Sequence, residues 1–282
     1  MGDTLTQVEQ IATEHGWPVW RGRDVVLVNC DCLEMLPLLP DASLPAIWTD
    51  PPYGHGNQDD DLQAARVRDD VRGARKKKAE PIACDSPDEM RRVVDAALLH
   101  AARILSPDCC CCCCCGGGGP KPTFAWTADR MDRQGLEFFH AVVWDKSDRG
   151  NGMGWRFRRN YEFIMVAHRR NGRLLWADNS VAVPNIIRRA PPRERIHPNE
   201  KPVKLITDFL TWTTSRGHVI LDPFLGSGTT AVACQRTGRR CIGLEISRDY
   251  WEIAVRRCQA EENRHPLFEQ PKPKQAVLDL QG

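Results

Sequence analysis

His218-Val219-Ile220-Leu221-Asp222-Pro223-Phe224-Leu225-Gly226-Ser227-Gly228-Thr229-Thr230 reads as a buried strand, a glycine-containing loop and the start of a helix that runs through Ala231-Val232-Ala233-Cys234 to Gly238. A second apolar strand follows at Arg240 to Glu245 and ends on an acid. The unit is strand, helix, strand, with glycines in its first turn. Its closing carboxylate comes about 20 residues after the first strand, the spacing at which an acid takes a ribose hydroxyl pair. A nucleoside cofactor is implied. The full dinucleotide fingerprint is not met, because Thr230-Ala231 stand where a third glycine is sought, and no Gly-Lys-Ser/Thr follows to hold a triphosphate.

Far upstream, Thr49-Asp50-Pro51-Pro52-Tyr53-Gly54 leaves the apolar run Leu44 to Trp48. Two prolines fix the backbone and donate no amide hydrogen, so the carbonyls of Asp50 and Pro51 remain open to an outside donor. Asp50 adds a carboxylate and Tyr53 a ring able to stack on a flat ligand. This rim suits an aromatic amine, although Asp-Pro and Pro-Pro also mark ordinary turns.

Together these stretches resemble the site-specific DNA amino-methyltransferases that use S-adenosylmethionine, in the permuted arrangement called the beta class, where a DPPY catalytic motif precedes an FxGxG cofactor motif. Asp31-Cys32-Leu33-Glu34, Trp144-Asp145-Lys146, Arg159-Asn160-Tyr161-Glu162 and His197-Pro198-Asn199-Glu200-Lys201-Pro202 fit the same pattern, and the likeness spans about Val25 to Cys258. The resemblance implies a Rossmann-like methyltransferase fold in permuted motif order. It implies that Asp50, Pro51, Pro52 and Tyr53 form the catalytic loop. Around S-adenosylmethionine it places Asp31 near the adenine, His197 and Lys201 beside the methionine portion, Asp222, Phe224, Gly226, Ser227, Gly228 and Thr229 in the glycine turn, and Glu245 on the ribose. Asp31 could equally cap the helix that follows it, and His197 with Lys201 could be a capping pair with no ligand. Asp at the head of the catalytic motif leans toward adenine over cytosine. A cytosine-amine enzyme, a methyltransferase acting on RNA or protein, and a non-catalytic DNA-binding relative remain the rivals. Within the family a homodimer and an accompanying restriction endonuclease are open partners.

The chain of 282 residues is ample for one large α/β domain. Alternating strand and helix patterns predict three layers, a mostly parallel sheet with helices on both faces, and ligand loops at the strand C-terminal ends. We divide it into an N-terminal extension (1–22), the methyltransferase domain (23–262) and a C-terminal tail (263–282). Two segments are inserted in the domain: a polar loop (54–85), expected to be mobile, and a basic target-recognition region (145–196).

Net charge is only +2, yet ten arginines against three acids lie between Trp155 and Arg195, interleaved with Phe157, Tyr161 and Trp176. Basic and aromatic groups in combination point to double-stranded DNA. Arg156, Arg158, Arg159, Arg188 and Arg189 are the expected phosphate contacts, with Lys76 and Lys77 from the loop.

Seven of the thirteen cysteines form one run, Cys109 to Cys115, followed by Gly116 to Gly119. Contiguous cysteines do not have the spacing of a zinc site, so no metal is expected. The run reads as a low-complexity insertion in a turn, or as an artefact standing in for a few ordinary residues, between a helix capped by Ser86 and reaching Leu105 and a strand at Thr123 to Trp126. A helix is expected near Asp129 to Phe138 and strands at Ala141 to Trp144 and Tyr161 to His168. No membrane-length apolar run or signal-peptide pattern is present, and the scattered cysteines suit reduced thiols, so a cytoplasmic location is expected.

Overall fold

The computed structural model describes residues 3–54, 83–84, 86–116, 123–147, 160–177, 182–192 and 200–264, with backbone alone over 112–116. Lys76, Lys77, Arg156, Arg158, Arg159, His197 and most of the loop and tail named above lie outside the described residues.

In chain order the elements are α1 (Thr4–Glu14), β1 (Val19–Arg21), β2 (Val25–Asn29), α2 (Cys32–Met35) running into a 3-10 turn (Leu36–Leu38), β3 (Leu44–Thr49), α3 (Pro87–Ile104), β4 (Leu105–Gly116), α4 (Thr123–Arg133), β5 (Leu136–Asp145), β6 (Tyr161–Arg169), β7 (Arg173–Leu174), β8 (Ile186–Arg188), α5 (Val203–Thr213), β9 (Val219–Asp222), α6 (Thr229–Thr237), β10 (Arg240–Glu245) and α7 (Arg248–Glu262). The strands form one sheet in the order β1-β2-β10-β9-β3-β4-β6-β5-β8, with β7 beside β4. From β2 through β4 every pairing is parallel. β6 runs antiparallel to both β4 and β5, and β8 is parallel to β5. The sheet is therefore mixed, with its parallel part where the cofactor motif and the catalytic motif meet.

Strand alternation sorts side chains into two cores. Val26, Val28, Ile47, Leu221, Ile242 and Leu244 face α1, α2, α3 and α4. Val25, Leu27, Ala46, Trp48, Ile220 and Cys241 face α5, α6 and α7. Three layers result, with helices on both faces.

The stretch set apart as an N-terminal extension belongs to the first of these cores. Leu5, Val8 and Ala12 recur at helical spacing on α1 and are buried. β1 then pairs with β2 through Trp20 opposite Leu27.

The cysteine run is not a turn insertion. It supplies much of β4, paired with β3 on one side and β6 on the other. Cys109 and Cys111 pack into the first core and Cys110 into the second. Unionised cysteine is a small apolar side chain, and contiguous apolar residues alternate across a strand, so these three satisfy both faces at once. The chain then enters α4 where a strand was expected at Thr123 to Trp126. Thr127 and Met131, four apart, bury one side of that helix. The expected helix near Asp129 to Phe138 accordingly begins and ends earlier, and β5 starts at Leu136. The helix capped by Ser86 forms as expected: the Ser86 hydroxyl accepts from the Glu89 amide (3.4 Å) and donates to the Glu89 carboxylate (2.5 Å).

Candidate active site

Ile47 of β3 stands opposite Leu221 of β9, so the two strands leave the sheet side by side. β9 ends on Asp222, and Asp50 follows β3 directly. Asp222 of β9 in turn stands opposite Gly243 of β10, whose last residue is Glu245, opposite Asn29 of β2. Four neighbouring strands thus present Asp31, Glu245, Asp222 and Asp50 at one edge, and all four line a single cleft. Pro51, Pro52, Phe224, Gly226, Ser227, Thr229 and Lys201 also line it. The two motifs, far apart in sequence, share this wall.

On the β9 and β10 side the cleft is built from backbone and acids. Gly226 takes φ +54° and an added Cβ would meet nothing within 4 Å, leaving its backbone open to the cleft. Gly228 takes φ +85° for a different reason: a Cβ there would stand 2.8 Å from Ala254 Cβ of α7. It is not on the cleft wall, and its role is close packing. The Glu245 carboxylate accepts from the Gly226 amide (2.7 Å) and the Ser247 amide (2.8 Å), so the acid and the glycine turn hold each other in place. Burial raises the Glu245 carboxyl above its usual range, against the pull of those amides. Asp222 is 2% exposed, and burial pushes its carboxyl up to about 7 despite hydrogen bonds from Thr230 and the Phe224 amide. Ile246, 49% exposed beside Glu245, and Phe224 give the cleft apolar surface. Asp31 caps α2 by accepting from the Leu33 amide (2.9 Å) and also lines the cleft, so its two readings coexist.

The loop from Asp50 to Tyr53 sits against a buried ionic cluster. Lys201 donates to Asp50 Oδ2 (2.6 Å) and to Tyr53 Oη (2.9 Å), and pairs with Glu162 Oε2 (3.3 Å). The Tyr53 hydroxyl donates to Asp50 Oδ1 (2.6 Å), and Lys146 donates to Glu162 Oε1 (2.5 Å). Burial raises the Asp50 carboxyl, Lys201 opposes that, and Glu162 adds to it. Burial also pushes Glu162 up, but Lys201 and Lys146 together hold it below its usual value. Tyr53, expected to offer a stacking face, is 7% exposed and not on the cleft wall; its ring lies under the Lys201 ammonium at 5.2 Å. Lys201, expected beside a cofactor's methionine end, lines the cleft and donates to Asp50 and Tyr53.

Sequence reasoning assigned no role to Glu162, Lys146, Glu200 or Arg257. Arg257 of α7 donates to the Ser227 carbonyl (2.8 Å) and hydroxyl (2.9 Å) and pairs with Glu200 (2.8 Å), tying the glycine turn to the segment before α5. Its signal was present: Arg257 lies three residues past buried Ala254, on the inward side of α7.

Among the described residues, the arginines of the basic region do not form one patch. β5 and β8 run parallel to β3, so Arg188 stands at the same end of the sheet as Asp50, its side chain 77% exposed and paired with Asp145 (2.7 Å). Arg189 is turned inward onto Asp208 (2.7 Å). β6 runs the other way and delivers Arg169, Arg170 and Arg173 to the opposite end. There Arg169 donates to the Leu105 carbonyl (3.0 Å) and Arg173 grips Asp108 (2.9 and 2.8 Å).

A mixed α/β sheet with acids at successive strand ends around a glycine turn defines the class: this is the fold of the S-adenosylmethionine-dependent DNA methyltransferases. The crystal structure of the M1.HpyAVI–SAM complex superposes with a TM-score of 0.61 at 20% identity, over 83% of this chain and 98% of that one. A DNA methylase family model matches residues 170–256, and over that stretch the chain is similar to the N6/N4 DNA methylases. Among curated relatives, it is 27% identical to the type II methyltransferase M.ScaI of Streptomyces caespitosus over 91% of this chain and 88% of that protein. It is 26% identical to the type II methyltransferase M2.DpnII of Streptococcus pneumoniae over 46% of this chain, a stretch that spans 54% of M2.DpnII.

Proposed function

We propose that this chain transfers a methyl group from S-adenosylmethionine to the exocyclic amine of an adenine extruded from duplex DNA. The observation that carries the reading is the shared cleft: Asp50, Pro51 and Pro52 on one wall, Gly226, Ser227 and Glu245 on the other. The residues suit the cofactor. Glu245 is the acceptor for a ribose hydroxyl pair, Phe224 and Ile246 offer apolar surface to a purine, and the open Cβ direction at Gly226 leaves room for a close backbone approach. When bound, S-adenosylmethionine supplies an electrophilic methyl on a sulfonium.

The chain's own part is acceptance and orientation. An exocyclic amine is a poor nucleophile because its lone pair is delocalised into the ring. The Asp50 carboxylate and the Pro51 carbonyl take its two hydrogens, which favours a tetrahedral nitrogen with its lone pair free to attack. The methylated nitrogen then carries a positive charge and releases one proton, for which the Asp50 carboxylate is the acceptor in place. No covalent enzyme intermediate is needed. Extruding the base costs a few kcal/mol. Tyr53, held in the ionic cluster, offers no stacking face to offset that cost unless the cluster rearranges.

DNA is the partner this chemistry requires, and exposed Arg188, at the cleft end of the sheet, is positioned for a phosphate. Asp50 at the head of the motif favours adenine, and cytosine N4 is the second reading, since the matched family covers both amines. Incubation with labelled cofactor and duplexes lacking either adenine or cytosine exocyclic amines separates them. Label is expected to vanish with the adenine amine and persist without the cytosine amine; the reverse result assigns cytosine.

A further inference from the structure

The chemistry above uses Asp50 and leaves the ionic cluster behind it without a role. Lys201 is only 3% exposed in its side chain, and its ammonium offers three donors to three protein oxygens, on Asp50 (2.6 Å), Tyr53 (2.9 Å) and Glu162 (3.3 Å). Glu162 is braced on its other oxygen by Lys146 (2.5 Å). With two carboxylates and two ammoniums the group is neutral as a unit. Its members come from four separate segments: the exit of β3, the end of β5, the start of β6 and the lead-in to α5. Each Asp50 oxygen accepts one hydrogen from inside this group, Oδ2 from Lys201 and Oδ1 from Tyr53, which fixes the rotation of the carboxylate and leaves lone pairs for another donor.

We propose that Lys201, backed by Glu162 and Lys146, is the positioning residue for Asp50: it sets the carboxylate's orientation toward the amine and opposes the acids beside it. The inference rests on the reading of Asp50 as that acceptor. It replaces the expectation that Lys201 touches the cofactor. The charges facing Asp50 explain why a lysine is needed. Glu162 on β6 and Asp222 on β9 are both acids that disfavour a second negative charge, Tyr53 is neutral, and Lys201 is the cation that opposes them.

The test compares Lys201→Met, Lys201→Arg and Glu162→Gln with the wild-type chain. Three quantities are measured: S-adenosylmethionine affinity by calorimetry, single-turnover methyl transfer against pH, and the Asp50 carboxyl titration by carbon NMR in the ligand-free protein. Lys201→Met is expected to bind cofactor within about threefold of wild type. It transfers roughly 100-fold more slowly at neutral pH and recovers as pH rises, because an unpaired carboxyl needs higher pH to ionise. Lys201→Arg restores much of the rate. Glu162→Gln keeps the side-chain volume, removes a competing acid and moves the Asp50 titration the opposite way, to lower pH. That variant carries the test should Lys201→Met fail to fold. Cofactor affinity falling in step with transfer in Lys201→Met makes Lys201 a cofactor ligand and overturns the proposal, as does an Asp50 titration unmoved in either variant. Wild-type transfer in the same assay reads the proposed function separately: no transfer by wild type removes the reading beneath the inference, whereas active wild type with unmoved titrations removes the inference alone.

Discussion

Asp222 ends β9 with its side chain buried, and burial holds its carboxyl near 7 where an unfolded chain would titrate near 3.8. Between those values the folded chain keeps a proton that the unfolded chain has lost. The sign follows from linkage: the raised acid favours folding least at high pH, so stability falls as pH climbs from about 4 to about 7, and the whole penalty is present above 7. Asp222→Asn removes the ionisation while keeping an acceptor for the Phe224 amide. In the ligand-free protein it is expected to raise Tm at pH 8, by the equivalent of roughly 1–4 kcal/mol, and to change it little near pH 4. Equal shifts at both pH values contradict the assignment. At this scale the acids were legible. Asp31, Asp50, Asp222 and Glu245 each follow or close an apolar run, and a carboxylate at a strand exit needs no knowledge of its neighbours to be noticed. Glu162 and Lys146 were not, because each is defined by a partner on a remote segment, and Arg257 showed only its inward side of α7, not the Ser227 and Glu200 it holds. The Lys201–Glu162 contact exists only once β6 and the lead-in to α5 are placed side by side.

Two elements show how composition misleads where pattern informs. Cys109 to Cys115 looks like low complexity when counted, yet within the strand Cys109, Cys110 and Cys111 alternate between two cores. Burial pushes the Cys109 thiol up to about 11, which keeps it unionised at neutral pH. Cys109, Cys110 and Cys111 are therefore expected to resist alkylation in the native protein and to react in denaturant, as read by peptide mapping. Labelling of Cys110 at the native rate of an exposed thiol contradicts the central placement of β4. α1 was passed over because its overall polarity hides Leu5, Val8 and Ala12 at helical spacing. Leu5 is 0% exposed against β2 and β10, so Leu5→Ala is expected to destabilise the domain by about 2–4 kcal/mol in a denaturation midpoint. A loss under about 0.5 kcal/mol, the range of surface substitutions, returns the segment to the status of an extension.

The whole molecule is a chain in permuted motif order whose sheet restores adjacency: β3, early in sequence, lies between β9 and β4, so the Asp50 segment and the glycine turn meet at one edge. The motif order and the strand and helix alternation were enough to expect this. The described arginines were not readable in the same way, because the antiparallel β6 carries Arg169, Arg170 and Arg173 to the end of the sheet opposite Arg188. Arg188→Ala is expected to weaken duplex binding modestly and to flatten its salt dependence by about one unit of log–log slope, whereas Arg173→Ala leaves binding unchanged. Equal losses from both would restore the single basic patch. The most direct test of the shared cleft is Asp50→Ala, assayed for cofactor binding by calorimetry and for methyl transfer to duplex DNA in one preparation. The account predicts cofactor affinity close to wild type and transfer reduced to background. Transfer within about tenfold of wild type, less than the roughly 100-fold loss typical when one stabilising group is removed, contradicts it.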